Sequence, residues 1–167
     1  MAFKTGALLK QLSAAVRTVK TGEIDLTGGD VAGVFDVQNG PILCHFLALE
    51  IIEAVSNDAC LVHLEVTPDA ATGSPTDICE GTAAPDLAQA AVGDFFHING
   101  DSQDVMKKAA VGTDLPMMEN QNGSILIPEG SVTLKLSTSD PTTGAGRLWM
   151  VYTPLLPEVF VDYTGLS

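Results

Sequence analysis

The sequence predicts a mainly all-β protein: an antiparallel β-sandwich or jelly-roll-like barrel, with a short N-terminal helix or extended arm and one long irregular loop. Three observations carry this. Several short segments alternate apolar and polar residues with period two. Three Asn-Gly pairs, Asn39-Gly40, Asn99-Gly100 and Asn122-Gly123, lie near apolar segments; they favour turns whose central residues have positive φ and so mark hairpins. The apolar segments are short and frequently interrupted, as expected of sandwiches and barrels.

The chain starts with a segment unlike the rest. In residues 7–20, Leu8, Leu9, Leu12, Ala15, Val16 and Val19 approximate a helical stripe that Gly22 would end. A helix this short is marginal alone in water and needs a partner surface; an extended arm is the alternative. Residues 1–22 are therefore read as an arm or helix, and residues 23–167 as one β-rich domain.

The strands follow in order. Residues 33–37 lead into the first Asn-Gly. Residues 41–55 read as strand, because a turn precedes them and Ile, Val and Phe recur, although their Leu, Ala and Glu would also suit a helix. In "CLVHLEV" at 60–66, Cys60, Val62, Leu64 and Val66 face one way while His63 and Glu65 face the other. "DFFHI" at 94–98 precedes the second Asn-Gly, and "SILIP" at 124–128 follows the third. "PEG" at 128–130 is a tight connection. "SVTLKLS" at 131–137 alternates most cleanly, with Val132, Leu134 and Leu136 inward and Thr133, Lys135 and Ser137 outward. "RLWMVY" at 147–152 is apolar on both faces, as expected of a covered central strand. Between two predicted strands, the Gly-x-Gly of "TTGAGRLW" at 142–149 reads as a flexible hairpin tip. Phe95, Phe96 and Trp149 are expected in the core. The stretch from about Thr67 to Gly93 has no strand-length apolar run and reads as a long loop of the functional or mobile kind.

Composition narrows the function classes. Hydrophobic residues make up 46% and charged residues 17%, which argues against disorder. No apolar run reaches the roughly 18 residues of a membrane span. No clean apolar stretch follows Lys4, so assembly in the cytoplasm is expected. The net charge of −13 is unevenly spread. Residues 1–20 hold Lys4, Lys10, Arg17 and Lys20 and no acid; the remaining residues hold all 21 acids against Lys107, Lys108, Lys135 and Arg147, a net of −17. Such a body repels nucleic acid. The basic arm is suited to an acidic protein surface, either a partner's or its own body's, and its four cations are the candidate partner-contact residues.

Chemistry-bearing motifs are scarce. Cys44, Cys60 and Cys79 fit neither a disulfide framework nor a C-x-x-C zinc pattern and are expected as buried small hydrophobes. Cys44 and His45 adjoin in a strand, so they point to opposite faces and form no dyad. His63 and Glu65 share a face and offer two metal ligands, with no third evident. "NGDSQD" at 99–104 has the oxygen side chains of a calcium loop but lacks its later glycine and bidentate glutamate. No phosphate-binding, dinucleotide, nucleophile-elbow or zinc-protease motif occurs. No catalytic residue, cofactor or metal is predicted.

Residues 35–155 resemble small virion proteins of tailed bacteriophages. The resemblance rests on "VFDVQNGPIL", on the Pro/Asp/Gly-rich middle, on "AVGDFFHINGDSQDVMKKA" and on "SILIPEGSVTLKLSTSDPTTGAGRLWMVYTPL". It implies a non-enzymatic capsid decoration (cement) protein that binds the outer capsid surface as a homotrimer and braces neighbouring major capsid protein subunits. The other readings are a tail or head–tail joining component and a host- or carbohydrate-binding module. The sequence departs from the style at "CHFLALEIIEAV", which is more apolar and marks a candidate oligomer interface.

Overall fold

The computed structural model describes residues 16–70, 73–79, 84–98, 106–109 and 124–163. These residues form twelve strands: β1 (Arg17–Lys20), β2 (Ile24–Asp25), β3 (Val31–Gln38), β4 (Ile42–Glu53), β5 (Cys60–Pro68), β6 (Thr76–Asp77), β7 (Phe95–His97), β8 (Lys107–Ala109), β9 (Ile125–Ile127), β10 (Gly130–Thr138), β11 (Ala145–Pro154) and β12 (Phe160–Asp162). All pairings are antiparallel and fall into two sheets. Sheet A runs β1-β11-β4-β7-β8, with β2 also pairing β11 and β9 also pairing β4; sheet B runs β12-β3-β10-β5-β6. The all-β expectation therefore stands as two antiparallel sheets.

Apolar residues of the two sheets form one buried cluster. Sheet B supplies Phe35, Val37, Val62, Leu64, Val132 and Leu134; sheet A supplies Leu47, Leu49, Ile51, Phe96, Leu148 and Met150. In sheet B the alternation read from the sequence holds throughout β5 and β10: the odd-one-out residues His63, Glu65, Thr133 and Lys135 are only partly covered. Residues 42–53 are a strand and not a helix, because β4 is gripped by β11 on one side and by β7 and β9 on the other.

Several local expectations need correction. Asn39 and Gly40 do take positive φ, 64° and 125°, but they join no hairpin. β3 lies in sheet B and β4 in sheet A, so the turn carries the chain across the core. Residues 139–144 do the same between β10 and β11, so they are not a hairpin tip. The "PEG" connection likewise passes from β9 in sheet A to β10 in sheet B. At Gly130 (φ 146°) a side chain would sit 2.2 Å from the Thr67 carbonyl oxygen, so only glycine lets this crossing pass so close to β5. The other two Asn-Gly pairs lie outside the described residues.

The long loop is not irregular where it is described. β6 pairs with β5, and the Leu61–Asp86 bridge holds a second segment on the same edge. Leu87 N–H donates to the Cys60 carbonyl at 2.7 Å, and Val62 N–H to the Pro85 carbonyl at 3.0 Å. Ile78, Cys79 and Leu87 enter the core. The segment thus covers an edge of sheet B, which would otherwise expose unpaired backbone groups.

The helix reading of residues 7–20 fails over its last turn. Arg17–Lys20 is an edge strand on β11, with Arg17 opposite Tyr152 and Lys20 opposite Trp149. The rest of that segment lies outside the described residues. The ladder continues through Thr21, whose N–H donates to the Leu148 carbonyl while its hydroxyl accepts from Leu148 N–H, both at 2.9 Å.

Candidate functional site

Among the described residues, the outward face of sheet A is unusually apolar. Cross-strand register places Leu43, Phe46, Ala48 and Glu50 of β4 opposite Thr153, Val151, Trp149 and Arg147 of β11. Leu126 lies beside Leu43 on the next strand. An antiparallel sheet facing water usually turns polar residues outward; this one turns out mostly apolar ones. Ala48 is fully buried, and so is most of His97 beside it. Burial pushes the His97 imidazole below its ordinary pKa. Phe96 is in the core as expected, whereas Phe95 and Trp149 are only partly covered and sit on this outer face.

At one end of the molecule apolar side chains become openly exposed. Among the described residues, seven large hydrophobics are exposed, and five of them, Val16, Leu126, Leu155, Leu156 and Phe160, surround the 39–41 turn. Leu155 N–H donates to the Pro41 carbonyl, Phe160 pairs with Gln38, and Leu126 pairs with Leu43 next to Ile42. Val16 precedes Arg17, whose partner Tyr152 leads into the same corner. Scattered exposed apolar residues are ordinary; a gathering at one end is not.

The candidate contact cations are placed as follows. Arg17 donates from Nη1 to the Val159 carbonyl at 2.8 Å, which ties the edge of sheet A to the approach of β12. Lys20 Nζ lies 5.1 Å from the centre of the Trp149 ring, a cation–π contact. Both are thus engaged by their own body. Lys4 and Lys10 lie outside the described residues.

The polar clusters divide between the sheets. Cys44 and His45 point apart, as strand geometry requires. Cys44 faces the core, and burial pushes its thiol up to about 12. Cys60, also buried, is raised to about 11 by desolvation and by the Asp86 carboxylate. Neither supplies a thiolate at neutral pH. His45 is the extra residue of a β-bulge in β4, and the bulge aims its ring between two hydroxyls: Nδ1 is 2.6 Å from Ser124 Oγ and Nε2 is 2.7 Å from Thr153 Oγ1. A hydroxyl–imidazole pair can polarise a serine, but among the described residues no carboxylate bonds His45 to complete a triad. Sequence reasoning missed this trio because its members are far apart along the chain and carry no spacing signal.

On sheet B, His63 and Glu65 do share a face, and β6 brings Asp77 directly opposite Glu65. The three ligand atoms lie within 4.8 Å of one another. Asp77 was invisible to sequence reasoning, since a two-residue strand has no periodicity to read. The calcium-like residues 99–104 lie outside the described residues. A surface cleft of about 280 Å³ opens at the opposite end of sheet A, lined by Glu23, Asp25, Thr27, Glu53, Thr142 and Thr143 among others. The Thr27 N–H and hydroxyl hold the Asp25 carboxyl below its usual range.

No protein-family model matches the chain, no curated protein matches it, and no solved structure matches it.

Proposed function

We propose that this chain is a non-enzymatic structural subunit of a virus particle: a decoration protein that works as a homotrimer on the outer capsid surface, bracing neighbouring major capsid protein subunits. In this reading the two sheets form a β-sandwich, and the apolar end around residues 39–41 is the surface that meets other chains. The single observation that carries it is the gathering of Val16, Leu126, Leu155, Leu156 and Phe160 at that end. Water-exposed side chains of this kind favour association, because burying them removes roughly 25 cal/mol per Å² of apolar area from water. The net charge of −13 suits an outer capsid face better than a DNA-facing inner one. The phage resemblance of residues 35–155 supplies the setting, and a closed oligomer on a symmetry axis lets weak contacts add.

The experiment is a paired measurement of mass in solution and of binding to purified undecorated capsids. The expected result is a trimer that binds, and a Leu126→Asp/Leu156→Asp variant that stays folded, becomes monomeric and loses binding. A native chain that is monomeric at high concentration and ignores capsids overturns the proposal. A few copies at one vertex of the particle, instead of many over the head, would replace decoration with a joining role.

A further inference from the structure

We propose that His63, Glu65 and Asp77 form a binding site for a divalent first-row transition metal, of which zinc is the natural probe, on the outward face of sheet B. The site is built by the backbone. His63 and Glu65 stand two residues apart on β5, and Asp77 of β6 is the direct cross-strand partner of Glu65. No loop has to close to bring the three together.

Hydrogen bonding alone accounts poorly for the arrangement. His63 Nε2 lies 3.4 Å from Glu65 Oε1 and 3.8 Å from Asp77 Oδ1. A charge-assisted N–H···O bond is normally about 2.7–2.9 Å, so the first is long and the second is none. Two carboxylates directly opposite on neighbouring strands repel each other. The first distance instead matches an edge of a tetrahedral coordination sphere, and the second is slightly longer than one. With metal–ligand bonds of about 2.0–2.2 Å, ligand atoms stand about 3.3–3.6 Å apart.

Charge agrees. Lys135, opposite His63 on β10, is drawn to Asp30 by a salt bridge instead of occupying the cluster. Asp30, Glu65 and Asp77 against the one ammonium leave two negative charges, which a divalent cation neutralises. His63 Nδ1 is buried and has no hydrogen-bond partner among the described residues. A metal at Nε2 would leave the ring proton on Nδ1, where no acceptor is found among the described residues. The same gap deprives the site of the outer-shell bond that usually supports a metal-bound imidazole, which is worth roughly 10–100-fold in affinity. Binding weaker than at a fully supported site follows. A bound ion would fasten β6, held by only two residue pairs, to the sheet.

The test is titration of the metal-free full chain with zinc ion, followed by calorimetry and by the melting temperature. One zinc per chain and a raised melting temperature are expected. Asp77→Asn should weaken binding at least tenfold and abolish the thermal shift; Asp77 is 47% exposed, so this variant should fold normally. Glu65→Gln provides a second variant. Cobalt(II) should give a tetrahedral spectrum without thiolate charge transfer, which separates this site from the three buried cysteines. Absence of zinc binding, equal binding by Asp77→Asn, or a thiolate signature each overturns the assignment.

Discussion

The two sheets are alike on the inside and opposite on the outside. Facing the core, sheet B presents Val, Leu and Phe and sheet A presents Ile, Leu, Phe and Met, all with almost no exposure. Facing away, sheet B shows His63, Glu65, Thr133, Lys135 and Asp36, while sheet A shows Leu43, Phe46, Ala48, Val151 and Trp149. The difference teaches where the molecule's constraints lie. Inner faces answer to packing alone. The outer face of sheet B answers to water. The outer face of sheet A answers to something else, since solvation does not account for a row of apolar side chains continuing to an exposed apolar end.

The largest effects should come from the shared interior and should not distinguish the sheets. Phe96→Ala in sheet A and Leu64→Ala in sheet B each remove a fully buried side chain. Each should cost about 3–4 kcal/mol in urea unfolding, from lost transfer energy and the cavity left behind. A cost near zero for either would mean that its sheet is not part of one packed core.

An intermediate effect should separate the two outer faces. Trp149 is half-buried, donates from Nε1 to Glu50 Oε2 at 2.7 Å and carries Lys20 on its ring. Trp149→Ala removes that packing and leaves Glu50, among the described residues, with Arg147 3.7 Å away. We expect a loss of about 2 kcal/mol, below the range for a fully buried aromatic. Thr133→Ala, at the equivalent outward position of sheet B, should stay within about 0.5 kcal/mol. Equal effects would erase the contrast between the faces.

This contrast also marks what was legible in the sequence. Sheet B was read almost residue by residue, because one wet face and one dry face imprint period two on β5 and β10. β4 and β11, apolar on both faces, kept their strand signal only through composition and neighbouring turns, so 41–55 remained open to a helix reading. Connectivity was misread for a different reason. A positive-φ Asn-Gly turn reverses the chain whether the next strand pairs with the last or crosses to the other sheet, and local chemistry is the same in both. The edge pieces, β1, β6 and the bridge at Asp86, are too short for any period; their positions are set by the backbone groups they satisfy. Asp77 belongs to this class, which is why a two-ligand pattern was visible and the third member was not.

The smallest effect concerns the charged ladder of sheet B and carries a pH signature. Asp30 accepts from Leu136 N–H at 2.8 Å and pairs with Lys135, bracing the irregular register between β3 and β10. Partial burial alone would raise the Asp30 pKa, but the Lys135 ammonium and the Leu136 amide outweigh it and hold it below 3.8. Lys135 is correspondingly raised above 10.5, chiefly by its hydrogen bond to Asp30. A carboxyl depressed on folding contributes stability that is complete above its unfolded value and lost as pH falls through its folded one. A lysine raised on folding contributes below its unfolded value and loses this as pH rises through its folded one. Asp30→Asn should therefore cost about 0.5–1 kcal/mol, the scale of a solvent-screened pair, throughout the window between those two limits. The gap from the native protein should close as pH drops below 3.8, and part of it should close in molar salt, which screens the ion pair but not the amide bond. Urea midpoints at pH 3 and pH 7, with and without salt, read this directly. A gap that persists unchanged at the acid end would mean that Asp30 acts through its shape and amide bond alone. The outer face of sheet B would then be organised by backbone geometry and not by charge.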